Sequence, residues 1–476
     1  MAASANPSTS AAALPWPAGV VLEHPGSDAF ENATKRWSIY EAPTFSCSLS
    51  PIDEKQVVEI VKVATANKIP FLATGGRHGY GTSLGKLRDG LSIDLSKMKA
   101  LEIDTDAHTA TIGPGVMNGD LIGPVLEAGY QMPIGSCPLV GVIGSTLGAG
   151  VGLFQGLFGL VIDALVSVRL VTANGDVVEA SASKNPELFF GIRGAGANFG
   201  VITSATYKLS KAVNDGQVFT ADIVYPESMK SDYFNVLKTY EENMPAELAI
   251  NTTINWNGDS SQTQIIGTFV YSGPEAQALR ILAPFFELNP PVVRKSVVPY
   301  SQIPYVILFG MVAAMSQPGS IHDIWSANVR QFSVESFNAA FDKYDAFYKA
   351  NPDGRMSVGI FESFSTQAVV GSGQETSYPW RDSKGNFMFQ MSWPNLGNEV
   401  EKPANDLARS LREDFAATSG YPDLSVYVSY AHGDEKLEQI YGDNLPRLVA
   451  LKKQWDPENI FRYNNGLPTE LPPSSS

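Results

Sequence analysis

Glycine in this chain gathers in three clusters whose order constrains the fold more than any other feature. The first is Thr74-Gly75-Gly76-Arg77-His78-Gly79. The second is Gly135-Ser136-Cys137-Pro138-Leu139-Val140-Gly141, followed by Gly144, Gly148, Gly150 and Gly152. The third is Arg193-Gly194-Ala195-Gly196-Ala197-Asn198-Phe199-Gly200. Glycine is entropically costly inside a helix or strand, so these runs specify loops rather than long regular elements. Loops without side chains let backbone N–H groups come close to an anion or a flat ligand. Turn-making alone remains the other reading of each cluster taken singly. Neither common nucleotide fingerprint is present. Gly81-Thr82-Ser83-Leu84-Gly85-Lys86 is one residue short of a P-loop, and Leu87 stands where Ser or Thr would be needed. No strand–GxGxxG–helix unit with a later acidic residue fits the glycine-rich stretch 134–160.

Composition narrows the function classes. Lys plus Arg is 34 and Asp plus Glu is 49, a formal charge of −15 that argues against nucleic-acid binding. Two cysteines exclude a disulfide scaffold and a Cys-rich metal cluster, and five histidines leave little room for a metal site. The expectation is therefore no metal. No stretch of eighteen uninterrupted apolar residues occurs, so no membrane span is expected. The Ala/Ser-rich start lacks the charge and apolar run of a signal peptide. A cytoplasmic protein is expected, or a secreted one if a signal has been removed. The sequons at Asn32 and Asn251 carry meaning only in a secreted chain.

Periodicity separates two textures. Residues 51–69 suit a helix stopped by Pro70. Short strands are expected at 71–74, 91–95, 100–104, 109–113 and 201–209, a helix at 117–128, and a hairpin at 165–180 around Asn174-Gly175. From 217 to 272 apolar and polar residues alternate, with a helix around 228–243. Strands follow near 356–364 and 386–393, and helices near 333–350 and 400–418. A strand at 424–430 and a helix at 435–454 close the chain. The expected class is α+β.

Two reactive side chains stand out. His78 is flanked by glycines, so little local packing can bury it, and a catalyst, a ligand or an attachment point are the functional readings. Cys137 sits among glycines before Pro138, which presents its sulfur outward. Cys47 reads as buried and inert, with a Cys47–Cys137 disulfide as the competing possibility. His24, His108, His322 and His432 read as surface or structural residues.

The three clusters, with Tyr441-Gly442-Asp443-Asn444-Leu445-Pro446-Arg447 and Asp456-Pro457-Glu458-Asn459-Ile460-Phe461, resemble the berberine bridge enzyme-like oxidases of the vanillyl-alcohol-oxidase superfamily. The resemblance is dense over 38–209 and 424–468. It implies a two-part PCMH-type FAD-binding domain with an inserted substrate domain of antiparallel sheet and helices. The expected layout is a lead-in at 1–37, partly disordered, and an FAD-binding domain at 38–211. A substrate domain at 212–415, a returning segment at 416–468 and a disordered tail at 469–476 complete it. The resemblance further implies FAD held by two bonds, from His78 to the 8α carbon and from Cys137 to C6. The loop 74–79, with Thr74, Gly75, Gly76, Arg77 and Gly79, would cradle the pyrophosphate through backbone N–H groups, and Tyr80 would also bind the cofactor. Gly141, Gly144, Ser145, Gly148 and Gly150 would pack against the cofactor, and Gly200, Val201 and Ile202 against its adenine end. Asn465 would lie near the flavin, and Val140 at the oxygen-gating position.

The implied reaction is hydride removal from an alcohol or amine carbon of a small specialised metabolite, with O2 as acceptor and H2O2 as product. A non-redox cyclase, an oligosaccharide oxidase and a flavin-binding protein without turnover are the alternatives. Candidate catalytic residues are Tyr427, Glu362 and Gln390. On a strand, Tyr427 and Tyr430 would face opposite sides, and Tyr427 is the preferred one. Gln390 matches a position where berberine bridge enzyme carries a glutamate. A glutamine is no base, so Glu362 or an acidified Tyr427 would substitute. The partners expected are a small-molecule substrate and O2, with no nucleic acid and no membrane, in a monomer or weak homodimer.

Overall fold

The computed structural model describes residues 11–471. Asp53 caps helix Glu54–Ala66 by accepting the Gln56 N–H, and the helix buries Val57, Ile60, Val61 and Ala64 on one stripe. That stripe lies in one apolar cluster with Leu49, Phe71, Leu91 and Ile93, and also with Val171 and Val201. The helix is thus packed between two sheets. One is a parallel sheet in the order Phe45–Leu49, Gly90–Asp94, Phe71–Thr74. The other is antiparallel, in the order Leu101–Asp104, Thr109–Ile112, Val201–Lys208, Leu165–Val171, Val177–Ser181. Each fully buried aliphatic side chain here contributes about 1.5–3 kcal/mol. The expected hairpin turns at Gly175, whose φ of +75° suits glycine. Strand Phe71–Thr74 delivers the chain directly into the first glycine loop.

A second layer system follows. Seven strands form one antiparallel sheet in the order Val292–Pro299, Gln217–Pro226, Gln262–Tyr271, Leu248–Asn257, Val358–Phe364, Gly385–Met391, Asp323–Val329. Alternate residues point to opposite faces. One face carries Phe219, Ile223, Ile250, Phe269, Phe361, Phe387, Phe389 and Trp325. It packs on helices Lys230–Thr239, Val334–Ala350 and Glu401–Thr418.

The opposite face is mixed, and the strand register aligns its polar residues. Arg294 pairs with Asp222, Asp222 with Thr268, Thr268 with Asn251, Asn251 with Glu362, Glu362 with Asn386, and Asn386 with Asn328. One polar residue from each strand therefore forms a continuous row, about 29 Å long at the usual strand spacing.

The C-terminal segment departs from its expected form. Residues 424–427 make no strand, and Val428–Tyr430 is a 3-10 turn closed by the Tyr430 N–H on the Tyr427 carbonyl at 2.7 Å. The alternating pattern misleads because the segment docks by single bonds instead of a ladder. Asn328 N–H donates to the Ser425 carbonyl, and Ser326 Oγ to the Tyr430 carbonyl. Farther on, buried Lys452 pairs with Asp456 at 2.7 Å and donates to the carbonyls of Asn198 and Phe461. This ties the returning chain to the third glycine cluster.

Of the expected lead-in, residues 1–10 lie outside the described residues. Asp28–Thr34 is a helix, and Arg36 is buried. Of the expected tail, 472–476 lie outside the described residues. No helix among the described residues is long and apolar enough to cross a membrane.

Candidate active site

The first two glycine clusters meet backbone to backbone. A Cβ on Gly76 would stand 2.5 Å from the Gly141 nitrogen, and one on Gly141 would stand 3.0 Å from the Gly76 nitrogen. A side chain on Gly75 would collide with the Pro114 carbonyl, and one on Gly148 with Ser429 Oγ. Beside Gly144 the Cβ direction is open. Among the described residues, the N–H groups of Gly75 through Tyr80 have no protein acceptor. Thr74 Oγ1 is buried without a partner. Arg77 is turned away, with φ of +56° and its guanidinium on Asp94.

Arg36 carries no sequence motif, yet it points to the same place. It is 5% exposed, its Nη2 donates to the Gly79 carbonyl at 2.7 Å, and its Nη1 is buried without a partner. No carboxylate among the described residues pairs with it. Burial, with Arg77 nearby, lowers its pKa to about 10. A buried cation beside a row of unused N–H donors is suited to an anionic group. FAD, with its diphosphate, fits this donor set.

His78 stacks on Trp37 with centroids 5.4 Å apart, and Trp37 stacks on His322 at 4.0 Å. Burial, then Arg36 and His322, push the His78 pKa down to about 4, so its imidazole is neutral and keeps a nucleophilic lone pair. Cys137 is a free thiol, as is buried Cys47, so the Cys47–Cys137 disulfide is not formed. Cys137 Sγ lies 2.8 Å from Ser316 Oγ. Burial raises its pKa, against hydrogen bonds from Ser316 and the N–H groups of Leu139 and Val140.

The polar sheet face supplies the other wall. Glu362 is 7% exposed, and its Oε2 accepts the Tyr430 hydroxyl at 2.9 Å. Its Oε1 has no hydrogen-bond partner among the described residues. Burial pushes the Glu362 pKa up to about 8, opposed by the Tyr430 bond. The Tyr80 hydroxyl is buried without a partner, and burial followed by Tyr427 and Glu362 raises its pKa.

Of the two tyrosines, Tyr430 is the one bonded to Glu362. The Tyr427 hydroxyl instead accepts the Gly150 N–H at 2.9 Å. Burial raises its pKa, so it is not acidified. The strand argument for choosing Tyr427 fails because a 3-10 turn follows it. Gln390 donates from Nε2 to His322 Nδ1 at 3.2 Å. His322, read as an unremarkable histidine, is therefore buried between Gln390 and Trp37, with its Nε2 unpartnered.

His432 is likewise no surface residue. Its Nε2 lies 3.1 Å from Asp323 and its Nδ1 3.2 Å from Asp434, and it stacks on Trp325 at 3.9 Å. Burial alone would lower its pKa, but the two carboxylates outweigh that and raise it to about 9. Its carbonyl accepts Thr82 N–H and Oγ1, which fixes the chain just after Tyr80.

The remaining positions are backbone or packing elements. Val140 and Gly141 flank a small ladder in which Asn118 N–H donates to the Val140 carbonyl. Ser145 Oγ bonds the Val142 carbonyl. A Cβ on Gly200 would come within 2.7 Å of the Val171 carbonyl, and Val201 and Ile202 are buried opposite Val171 and Leu170. Asn465, with φ of +46°, bonds Ser83 through its N–H and the Val428 carbonyl through Nδ2.

Known proteins match this arrangement. An FAD binding domain model matches residues 46–181, and a model described as berberine and berberine like matches 426–468. The chain is 44% identical to the FAD-linked oxidoreductase OXR1 of Pyricularia oryzae over 456 residues, covering 95% of this chain and 90% of that one. It is 45% identical to the FAD-linked oxidoreductase srdI of Neurospora crassa over 454 residues, with the same coverage. BBE-like 1 of Physcomitrella patens shares the fold, with a TM-score of 0.83 at 24% identity over 95% of this chain and 98% of that one. These matches, with the paired glycine loops and the two-part α+β architecture, show that the chain belongs to the berberine bridge enzyme-like FAD-linked oxidoreductases.

Proposed function

We propose that this enzyme is an oxidase that takes a hydride from an alcohol or amine carbon of a small specialised metabolite and gives the electrons to O2, forming H2O2. FAD supplies the hydride acceptor and the route to oxygen. The observation that carries the reading is the Glu362–Tyr430 pair on the polar sheet face. Loss of a hydride from carbon is eased when the attached O–H or N–H gives up its proton. Glu362 Oε1 accepts that proton, and Tyr430 holds the carboxylate in place through Oε2. The Gln390–His322 pair orients the substrate from the neighbouring strand. Val140, three residues beyond Cys137, leaves a small side chain for oxygen to pass. In this reading the pocket also excludes water, because the polar row is covered by the other half of the molecule.

His78 and Cys137 hold the flavin covalently, at the 8α carbon and at C6. The support is chemical. The imidazole is neutral and has no hydrogen-bond partner among the described residues, and the thiol is free. Acid-precipitated protein is expected to stay yellow. His78→Ala and Cys137→Ala should each keep the flavin through the remaining bond, and the double variant should release it. Colourless acid precipitate from the unaltered protein would overturn the bicovalent reading.

For the reaction, a panel of benzylic and allylic alcohols and amines should include one that bleaches the flavin anaerobically and releases peroxide in air. Conversion of such a compound to a cyclised product while the flavin stays oxidised would replace the oxidase by a cyclase.

A further inference from the structure

One short turn touches both sides of the proposed flavin attachment. Val312–Met315 forms a single helical turn, and Ser316, 3% exposed, follows it. The Ser316 hydroxyl donates to the Val312 carbonyl at 2.6 Å, and its oxygen lies 2.8 Å from Cys137 Sγ. The Met315 carbonyl accepts the Trp37 indole N–H at 2.8 Å, and Trp37 stacks on His78.

The segment carrying this turn is pinned at both ends. Upstream, Leu308 and Phe309 have φ of +53° and +55°, a left-handed conformation uncommon for residues with side chains. The buried Asp222 carboxylate accepts both of their N–H groups, at 2.9 and 2.8 Å. Downstream, the Gly319 N–H donates to the Arg36 carbonyl. The Ser316 hydroxyl is therefore delivered to Cys137 by fixed backbone.

We propose that Ser316 is the positioning residue for the bond between Cys137 and flavin C6, an inference that rests on the bicovalent attachment proposed above. With its own hydrogen on Val312, Ser316 accepts the thiol hydrogen and fixes the sulfur rotamer. When the thiol loses its proton, the hydroxyl swings its hydrogen onto the sulfur and joins the Leu139 and Val140 N–H groups there. In the attachment step the S–H and C6–H bonds break and the C6–S bond forms. The two electrons and two protons reduce the flavin, and O2 takes them up as H2O2.

The test uses the full chain expressed with FAD and reads attachment rather than turnover. His78→Ala leaves Cys137 as the sole tether, and its acid precipitate should be yellow, with Cys137 resistant to iodoacetamide after denaturation. Adding Ser316→Ala should release most of the flavin into the acid supernatant and leave Cys137 open to alkylation. Ser316→Ala alone should stay yellow through His78, which shows that the fold survives. A yellow, alkylation-resistant His78→Ala/Ser316→Ala protein would overturn the role of Ser316. A colourless His78→Ala protein overturns the Cys137 bond, and the role of Ser316 with it.

Discussion

The glycine loops and the seven-stranded sheet approach the site from opposite sides and work by opposite means. The loops function through what they leave unpaired. Six successive N–H groups from Gly75 to Tyr80, Thr74 Oγ1 and Arg36 Nη1 have no protein partner. The sheet functions through what its register brings together. Glu362 gains its place beside Tyr430 only because seven strands align and a returning segment docks on them. In the proposed reading, cofactor binding rests on short backbone stretches, and proton handling on long-range pairing. Each half can be broken in its own way.

The largest effect is expected on the sheet side. Glu362→Gln keeps the shape and the Tyr430 bond but removes the base, and kcat should fall about 10²–10⁴-fold. In the unaltered enzyme the rate should climb with pH through about 8, where Glu362 ionises, and level off above it. The glutamine variant should lose that limb. Stability should run the other way. The Glu362 pKa is raised in the fold, so the protonated carboxyl favours the folded state at low pH, and that contribution is lost as pH rises through about 8. Glu362→Gln should therefore unfold at higher denaturant than the unaltered protein at pH 9. Flavin content should be unchanged, since the loops are untouched. An unchanged pH–rate profile would remove Glu362 from the chemistry.

On the loop side, Gly76→Ala places a Cβ against the Gly141 nitrogen, where only backbone can give way. The two loops must part, at a cost of about 1–3 kcal/mol by analogy with other overpacked sites. The measurable result should be a large loss of bound flavin with the apoprotein still folded by far-ultraviolet circular dichroism. Full flavin retention would show that the contact between the loops is not needed to hold the cofactor.

This contrast also explains which parts of the molecule were legible in the sequence. The Glu54–Ala66 helix, the Phe71–Thr74 strand, the turn at Gly175 and the loop bearing His78 follow from local periodicity and glycine placement. The family resemblance likewise rested on the glycine clusters, together with two motifs near the C-terminus. Arg36 and Trp37 carry no local signal, because their partners lie at Gly79, His78 and Met315. His322 carries no local signal because Gln390 reaches it only through tertiary packing, and His432, though Asp434 is two residues away, meets Asp323 and Trp325 only in the fold. Strand alternation favours Tyr427 over Tyr430, but Val428–Tyr430 is a 3-10 turn, which has no such alternation. Arg36, Trp37 and His322 share partners that lie far away in the sequence or on other elements, and a single sequence does not print such pairings.

Asn251 gives the smallest and sharpest test, because its two expected effects have opposite signs. It pairs in register with Glu362 one strand away, its side chain has no hydrogen-bond partner among the described residues, and its Oδ1 is buried. An unsatisfied buried acceptor costs about 1–3 kcal/mol, so stability alone would not select it. Asn251→Leu removes that penalty with the same branched skeleton and should raise stability by about 1 kcal/mol in urea unfolding. If the amide is kept for a substrate O–H or N–H, the same change should raise KM about tenfold with kcat little altered, as loss of uniform binding does. Lower stability with an unchanged KM would make Asn251 a structural residue.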